Sequence, residues 1–467
     1  MTSDILACLT RKDLFRTQGF IDGAWADAAS GKTFDVHDPA TLTKIATVPE
    51  MGAQDTVKAI DSANTAFRSY KETTARQRAR WLRKWSDLCL EHAEDLALIL
   101  CVENGKTPAE AKGEVTYAAS FLEWFAGEAE RTYGDVIPSS NPNQRILTFK
   151  QPLGVAACMA PWNFPIAMIT RKCGAALAAG CTTGCINVIT TLDLVAEVGQ
   201  ALCTKKAVRK LSFTGSTRVG KLLASQCSTN LTKLSLELGG NSPFIVFDDV
   251  DIERAIETFT VAKFRNSGQT CVTANRVFVQ SGVYSQFAKA LVEKVKTLKV
   301  GPGTEPDISI GPLTHERAVE KAMSHIQDAK AHGGQVILGG APLAGYNGYF
   351  IQPTVITDMT PQMLTTREET FAPVVGLYRF DTVNEVIALT NDCEVGLGSF
   401  ICTSSTSWMW QVAEALEVGI VGVNLGVLSA CESPFGGVKE SGYGREGGRH
   451  GIDEYLSVKS MLINVSD

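Results

Sequence analysis

From Gly154 onward the sequence alternates short apolar runs with segments of helical period, and this alternation limits the fold more than any other feature. Gly154 to Ala160 reads as a strand, Ile166 to Ala179 as a helix, Cys185 to Ile189 as a strand and Lys210 to Thr214 as another. A helix from Thr217 and a strand from Thr232 to Leu236 follow. Strands joined through helices form a parallel sheet, because each right-handed crossover returns the chain to the same end of the sheet. A second alternating region runs from Pro243 to about Gly437, with strands at Phe244 to Phe247, Arg276 to Gln280, Val374 to Phe380 and Ile420 to Asn424. Two α/β domains are expected, which suits a 467-residue chain too long for one ordinary core.

Residues 50 to 130 carry apolar side chains at helical spacing, through Ala59, Ile60, Ala63 and Phe67, then Trp81, Leu82, Trp85 and Leu88, and on to Leu96 and Leu100. From Tyr133 to Phe149 the pattern changes to short extended pieces around Pro138 and Pro142, an arm of the kind that joins subunits. The tail, Tyr455 to Val465, is strand-like and is expected to pair with the arm of a neighbouring subunit. A net charge of −6 offers no footprint for nucleic acid, and no apolar run reaches membrane-spanning length. Thirteen cysteines, an odd number without zinc-type spacing, point to free thiols in a reducing compartment, the cytoplasm, and to no metal site.

Three separate segments make chemical sense if they meet in one cleft. Cys271 ends the run Phe264-Arg265-Asn266-Ser267-Gly268-Gln269-Thr270-Cys271, between a helix and a strand. A thiol there can add to a carbonyl and leave again from a thioester. Glu237 ends an apolar strand between Leu236 and Leu238, where desolvation would raise its pKa and suit it to act as a general base; a solvent-facing strand-end glutamate is the plainer alternative. Asn163, in Pro161-Trp162-Asn163-Phe164-Pro165, can donate to an oxyanion beside the Cys271 N–H, or cap the following helix. Gly215 and Ser216, with Gly220 after them, sit where a strand turns into a helix, and exposed N–H groups at such a start suit a pyrophosphate.

Together these segments resemble the NAD(P)-dependent aldehyde dehydrogenase family, over nearly the full length from about Phe20 to Leu462. The resemblance implies a Rossmann-type cofactor domain (12–130 and 152–239), an α/β catalytic domain (240–438) and a small oligomerisation arm (131–151 and 452–467). It implies Cys271 as nucleophile, Glu237 as base and Asn163 as oxyanion donor, with NAD or NADP held by Trp162, Gly215, Ser216 and Gly220. Glu368-Glu369-Thr370-Phe371 resembles the family's segment in which Glu369 would hold the nicotinamide ribose and Phe371 would pack by the ring; Ala372 stands where the family usually has glycine. Gly113 to Phe125, Tyr133-Gly134-Asp135 and Pro434 to Lys439 look like the subgroup whose substrate is succinate semialdehyde. A far-end carboxylate needs cations, and the resemblance assigns Arg171, Arg265 and the Ser429 hydroxyl to it. The expected activity is oxidation of that aldehyde to succinate in 4-aminobutyrate breakdown, by a homo-oligomer, a dimer or tetramer.

Two departures stand out. The family has a strand ending in Lys-Pro and then a long helix between the segments corresponding to Thr182 and Cys185, whereas here the two are nearly adjacent. About two dozen residues, one βα unit by typical lengths, are missing. The lost strand end would carry the lysine for the adenosine ribose and the residue that helps choose NAD or NADP. Reduced stability and weak cofactor binding are expected, because removing a strand and its helix exposes apolar neighbours. Three explanations are open: a gene model or splice form lacking an exon, a rebuilt nucleotide fold, or a chain that keeps its active-site segments and binds cofactor poorly. The rival readings are thus a cofactor-impaired or non-catalytic oligomeric relative, or a dehydrogenase for another aldehyde. Thr273 occupies the place of a second cysteine found in some members, so this loop cannot form their redox disulfide.

Overall fold

The computed structural model describes residues 7–182 and 186–465. Two short antiparallel pairs, Gly19–Ile21 with Ala24–Ala26 and Thr33–His37 with Lys44–Pro49, are followed by four helices: α1 (Ala53–Tyr70), α2 (Ala75–Glu91), α3 (Ala93–Asn104) and α4 (Pro108–Ala129). Helix α4 starts where the sequence supplies a complete capping box: Thr107 Oγ1 accepts from Glu110 N, Glu110 returns a carboxylate oxygen to Thr107 N, and Pro108 opens the first turn. Its apolar stripe, Val115, Ala119, Leu122 and Ala126, is fully buried against α2 and the helix that follows the first sheet strand.

The arm is built from β1 (Val136–Ile137) and β2 (Gln144–Pro152), paired antiparallel. The tail does form a strand, Leu456–Asn464, but it pairs with β2 of its own chain rather than with a neighbour, in unbroken register from Leu456 against Pro152 to Asn464 against Gln144. The preceding short helix, Gly448–Asp453, brings the tail to β2 directly, and Leu153 N donates to Tyr455 O at the junction. Val136, Val458 and Leu462 remain 77%, 68% and 62% exposed on this arm.

The first parallel sheet contains β3 (Val155–Met159), β4 (Val208–Thr214) and β5 (Lys233–Glu237), with the short strand Gly442–Tyr443 antiparallel on the outer edge of β5. Helices α5 (Pro165–Ala179), α6 (Val195–Thr204) and α7 (Thr217–Cys227) accompany it. At the other end, among the described residues, β3 meets a single bridge, Val155 with Thr182. The strand expected at Cys185 to Ile189 is not part of this sheet: Cys185 lies outside the described residues, and Val188 makes one antiparallel bridge, to Phe20. A strand needs a neighbour at hydrogen-bonding distance, about 4.8 Å, and Ile186 to Ile189 has none in the sheet. A cavity of about 400 Å³ lies between them instead, lined by Val155, Ala157, Met159, Ile169, Val188 and Val198.

The second sheet has seven strands: β6 (Ser242–Val246), β7 (Ala274–Gln280), β8 (Gln335–Leu338), β9 (Thr354–Thr357), β10 (Val374–Phe380), β11 (Gly398–Cys402) and β12 (Ile420–Val423). Their order is β8-β9-β10-β7-β6-β11-β12, parallel throughout except for β8. Phe244, Ile245, Val246 and Phe247 are wholly buried, with helices on both faces, as a near-continuous apolar run requires. The carboxyl ends of β3 and β5 and the segment entering β7 converge, which is where open α/β sheets present ligand crevices.

Candidate active site

Helix α8 (Ile252–Phe264) runs into a turn whose residues Asn266, Ser267 and Gly268 all hold positive φ, at 51°, 57° and 77°. Two consecutive non-glycine residues in this region cost on the order of 1–3 kcal/mol each, so the surroundings must enforce the turn. Glu110 Oε1 accepts from Asn266 N at 2.6 Å, Ser267 Oγ donates to Gly311 O at 2.9 Å, and Gln269 Oε1 accepts from Thr314 N at 2.9 Å. Thr273 Oγ1 accepts from Thr270 N and donates to Gly268 O, so the residue standing in for a second cysteine braces the loop. A Cβ on Gly268 would lie 2.5 Å from Ala372 O, which ties this loop to the segment after Phe371. The loop ends on Cys271, half-buried beside Glu237.

Glu237 closes β5, and its backbone C=O accepts from Gly215 N. Its carboxylate is buried, with Oε2 accepting from Arg171 Nη2 at a long 3.5 Å and Oε1 without a partner. Burial pushes its pKa up; Arg171 opposes this and Glu446 adds to it. The Cys271 thiol is pushed well up by burial and by the Glu237 charge, with Arg171 pulling down. A carboxyl raised in this way and held next to a thiol is suited to accept a proton near neutrality. Gly240, three residues on, allows this approach, because a Cβ there would sit 2.5 Å from Cys271 O.

Asn163 does not cap α5. The first amides of that helix, Ile166 N and Ala167 N, donate to Glu114 Oε1, and Glu114 is itself paired with the buried Lys106. Asn163 is free of that duty: its Nδ2 donates to Gln269 O at 3.0 Å, its C=O accepts from Asn266 Nδ2 at 3.0 Å, and its Oδ1 is buried without a partner. The amide therefore lies against the nucleophile loop, with one Nδ2 hydrogen still to place.

Arg171, on α5, is 1% exposed, and its guanidinium is already engaged with Glu446 and Glu237 and stacked over the Phe435 ring at 4.7 Å. Arg265 is half-buried, its guanidinium 4.9 Å from the Phe164 ring centroid, and among the described residues it has no carboxylate in ion-pair range. Ser429 is half-buried nearby and acts on the same Tyr117 hydroxyl as Arg171. The two arginines thus sit in one region with unequal freedom: one is matched by acids and one is not.

Two acidic and basic groups were not singled out from the sequence. Glu446 lies between Arg171 and Lys172, and accepts from Ser212 Oγ at 3.1 Å. Burial alone would raise its pKa, but the two cations hold it down at about 2. The run Gly442-Tyr443-Gly444-Arg445-Glu446-Gly447-Gly448 was its signal, a carboxylate embedded among glycines that permit close packing. Lys263 on α8 is wholly buried, donates to Asn275 Oδ1 at 3.0 Å, and is pushed down to about 7 by burial. Helical period alone would have placed Lys263 among ordinary surface lysines.

The groups expected to hold a nicotinamide dinucleotide fit it at one end. Glu369 is only half-buried as a residue, yet its carboxyl end lies deep enough that burial pushes it up to about 8, and it accepts from Gly240 N at 3.4 Å. Little else satisfies this carboxyl, as a group awaiting ribose hydroxyls would require. Phe371, at φ 54°, meets Trp162 edge-on at 5.7 Å. Ser216 caps α7 through Val219 N and lies exposed beside Gly215. Gly220 is buried, and a Cβ there would meet Leu238 at 2.5 Å, so its lack of a side chain lets α7 pack closely on the sheet. Where the adenosine end is expected, the open side of β3 faces the apolar cavity, whose lining among the described residues includes Ala156, Ala157 and Cys158 and no basic residue.

Comparison with known proteins agrees with this geometry. The model of the aldehyde dehydrogenase family matches in two pieces, residues 25–185 and 183–461. A succinate-semialdehyde dehydrogenase of Schizosaccharomyces pombe is 48% identical over 476 aligned residues, covering 96% of this chain and 95% of that protein. A glutarate-semialdehyde dehydrogenase of Pseudomonas putida is 46% identical, over 97% and 98% of the two chains. The crystal structure of a succinate-semialdehyde dehydrogenase from Burkholderia pseudomallei superposes with a TM-score of 0.96 at 45% identity, covering 98% of this chain and all of that one.

Proposed function

This chain belongs to the aldehyde dehydrogenase family, and on that premise we propose that it oxidises succinate semialdehyde to succinate with NAD+ or NADP+, in 4-aminobutyrate catabolism. The observation that carries the reading is the pairing of Cys271 with the buried, partly unpartnered Glu237 in a cleft that also holds Arg171 and Arg265. In this reading the Cys271 thiol releases its proton to water and the sulfur adds as thiolate to the aldehyde carbon, and the oxyanion lies between the Cys271 N–H and the free Nδ2 hydrogen of Asn163. The nicotinamide of a bound NAD+ or NADP+ would supply the hydride acceptor for the thiohemiacetal carbon. Trp162, Gly215, Ser216, Glu369 and Phe371 are the residues that would hold it. Glu237 then removes a proton from water, hydroxide opens the thioester, and the thiol is restored. Arg265 and Ser429 receive the distal carboxylate, with Arg171 sharing that task against the pull of its own two acids.

A second reading, a semialdehyde one methylene longer, is favoured by the likeness to the Pseudomonas protein, since one methylene in a pocket is worth only about 1–3 kcal/mol of discrimination. One assay tests both: reduction of NAD+ and of NADP+ with succinate semialdehyde, glutarate semialdehyde and an uncharged aldehyde of similar length. Fastest turnover at low concentration with succinate semialdehyde is expected. Absence of turnover with every combination would overturn the enzymatic reading.

The exposed apolar side chains Val136, Ile137, Val458 and Leu462 of the three-stranded arm sheet support a homo-oligomer, a dimer or tetramer, which sedimentation would size. Among the described residues no helix is long and apolar enough to cross a membrane. With thirteen cysteines in no disulfide-type pattern, the cytoplasm is the compartment we assign.

A further inference from the structure

One buried polar group near the substrate arginines has no use in the steps above. Tyr117 lies on α4, its ring packed edge-on against Phe121 at 4.7 Å and against the α5 start, where Phe164, Ala167 and Met168 cluster. Its hydroxyl is buried and makes no hydrogen bond of good geometry to any described residue. Burial pushes its pKa up, while Arg171, Ser429 and Arg265 all act to lower it, so the hydroxyl faces the same three side chains assigned to the distal carboxylate. A buried hydroxyl left unpaired is unfavourable unless something absent from the unliganded protein satisfies it. Phenylalanine would fill this space equally well for packing, so the oxygen contributes nothing visible to the fold.

Charge balance says what the missing partner is. Arg171 is a single cation between two carboxylates, Glu446 and Glu237, which weakens its pull on an arriving anion. Arg265 alone carries charge without an acid. A carboxylate offers about four acceptor sites, more than one arginine and one serine fill, and a phenol supplies a further donor without another charge to bury.

We propose that Tyr117 donates its hydroxyl proton in a hydrogen bond to the distal carboxylate of the substrate and so sets the preference for an anionic over an uncharged aldehyde. The inference rests on the succinate semialdehyde reading above. The test is Tyr117→Phe, assayed with succinate semialdehyde and with butanal. kcat/KM for the anionic aldehyde should fall roughly tenfold to a hundredfold, the size of one lost hydrogen bond to a charged group, while butanal changes less than about twofold. The inhibition constant of succinate should rise by the same factor. The melting temperature should stay within about a degree or two, since the oxygen removed makes no hydrogen bond of good geometry, and this separates loss of a contact from loss of fold. An equal fall with both aldehydes, or an unchanged succinate constant, would overturn the proposal alone. A wild-type enzyme indifferent to the aldehyde's charge would fail the underlying reading and overturn the proposal with it.

Discussion

The two parallel sheets of this protein differ in completeness. In the seven-stranded sheet β6 has a partner on each side and its residues Phe244, Ile245 and Val246 are fully buried. In the smaller sheet β3 has a full partner on one side only, and beyond its other edge lie a cavity of about 400 Å³ and the side chains Ile169, Val188 and Val195, each 43% exposed. The nucleophile loop enters β7 of the filled sheet, braced by Glu110, Gly311 and Thr314. The turns expected to take the dinucleotide belong to the other. The contrast teaches that the Cys271 loop and the turns expected to take the dinucleotide rest on different cores, one filled on both sides and one open at an edge.

Cys271→Ala gives the largest expected effect, loss of all NAD(P)+ reduction, whereas Glu237→Gln should keep a pre-steady-state burst of reduced nucleotide and slow the later steps; stopped-flow absorbance reads both. Equal loss of the burst in the two variants would break the assignment of separate roles. Next in size is a pair of core truncations. Phe244→Ala, in the filled sheet, should cost about 3–5 kcal/mol in denaturant unfolding, while Val188→Ala, beside the cavity, should cost less than about 0.5 kcal/mol. Similar costs would mean that the cavity is closed in solution.

Cofactor affinity sharpens the contrast further. Titration of protein fluorescence with NAD+ and NADP+ is expected to give weak binding, and grafting a relative's strand and helix between Thr182 and Ile186 should tighten it at least about tenfold, or 1.4 kcal/mol. Ordinary micromolar affinity in the ungrafted chain would remove the supposed impairment. The smallest effect concerns pH. Burial raises the Glu369 carboxyl from its ordinary 4.5 to about 8, so the folded state favours the neutral form. Its contribution is fully present below about 4.5 and is lost as pH rises to about 8 and beyond. Melting temperatures of Glu369→Gln against wild type should therefore diverge in the variant's favour across that window.

Much of the site was legible because its signals are local. Cys271, Glu237 and Asn163 each lie in a short segment whose neighbours, glycines, leucines or prolines, dictate a strand end or a sharp turn. The strands β3, β4, β5, β6, β7 and β10 were read within a few residues for the same reason. What escaped was non-local. Glu446 reaches Arg171 and Lys172 from more than two hundred residues away, and although the glycines around it mark close packing, nothing in either segment names its partners. That Leu238 lies directly beneath Gly220 is likewise a contact no local pattern shows. Cys185 to Ile189 had strand composition, yet a strand exists only when another lies beside it, and Ile186 to Ile189 stand across the cavity from the free edge of β3 without pairing to it.

The sequence by itself determined the class of architecture and pointed to Cys271, Glu237 and Asn163 as the segments to watch, because period, turn residues and short motifs act through neighbours in the chain. Only the tertiary structure decided that the tail closes on its own arm, that Arg171 is shared between two acids, and that Tyr117 keeps an unpaired hydroxyl beside them. Burial and charge pairing depend on which distant segments pack together, and for this chain those partners are set by two sheets of unequal completeness.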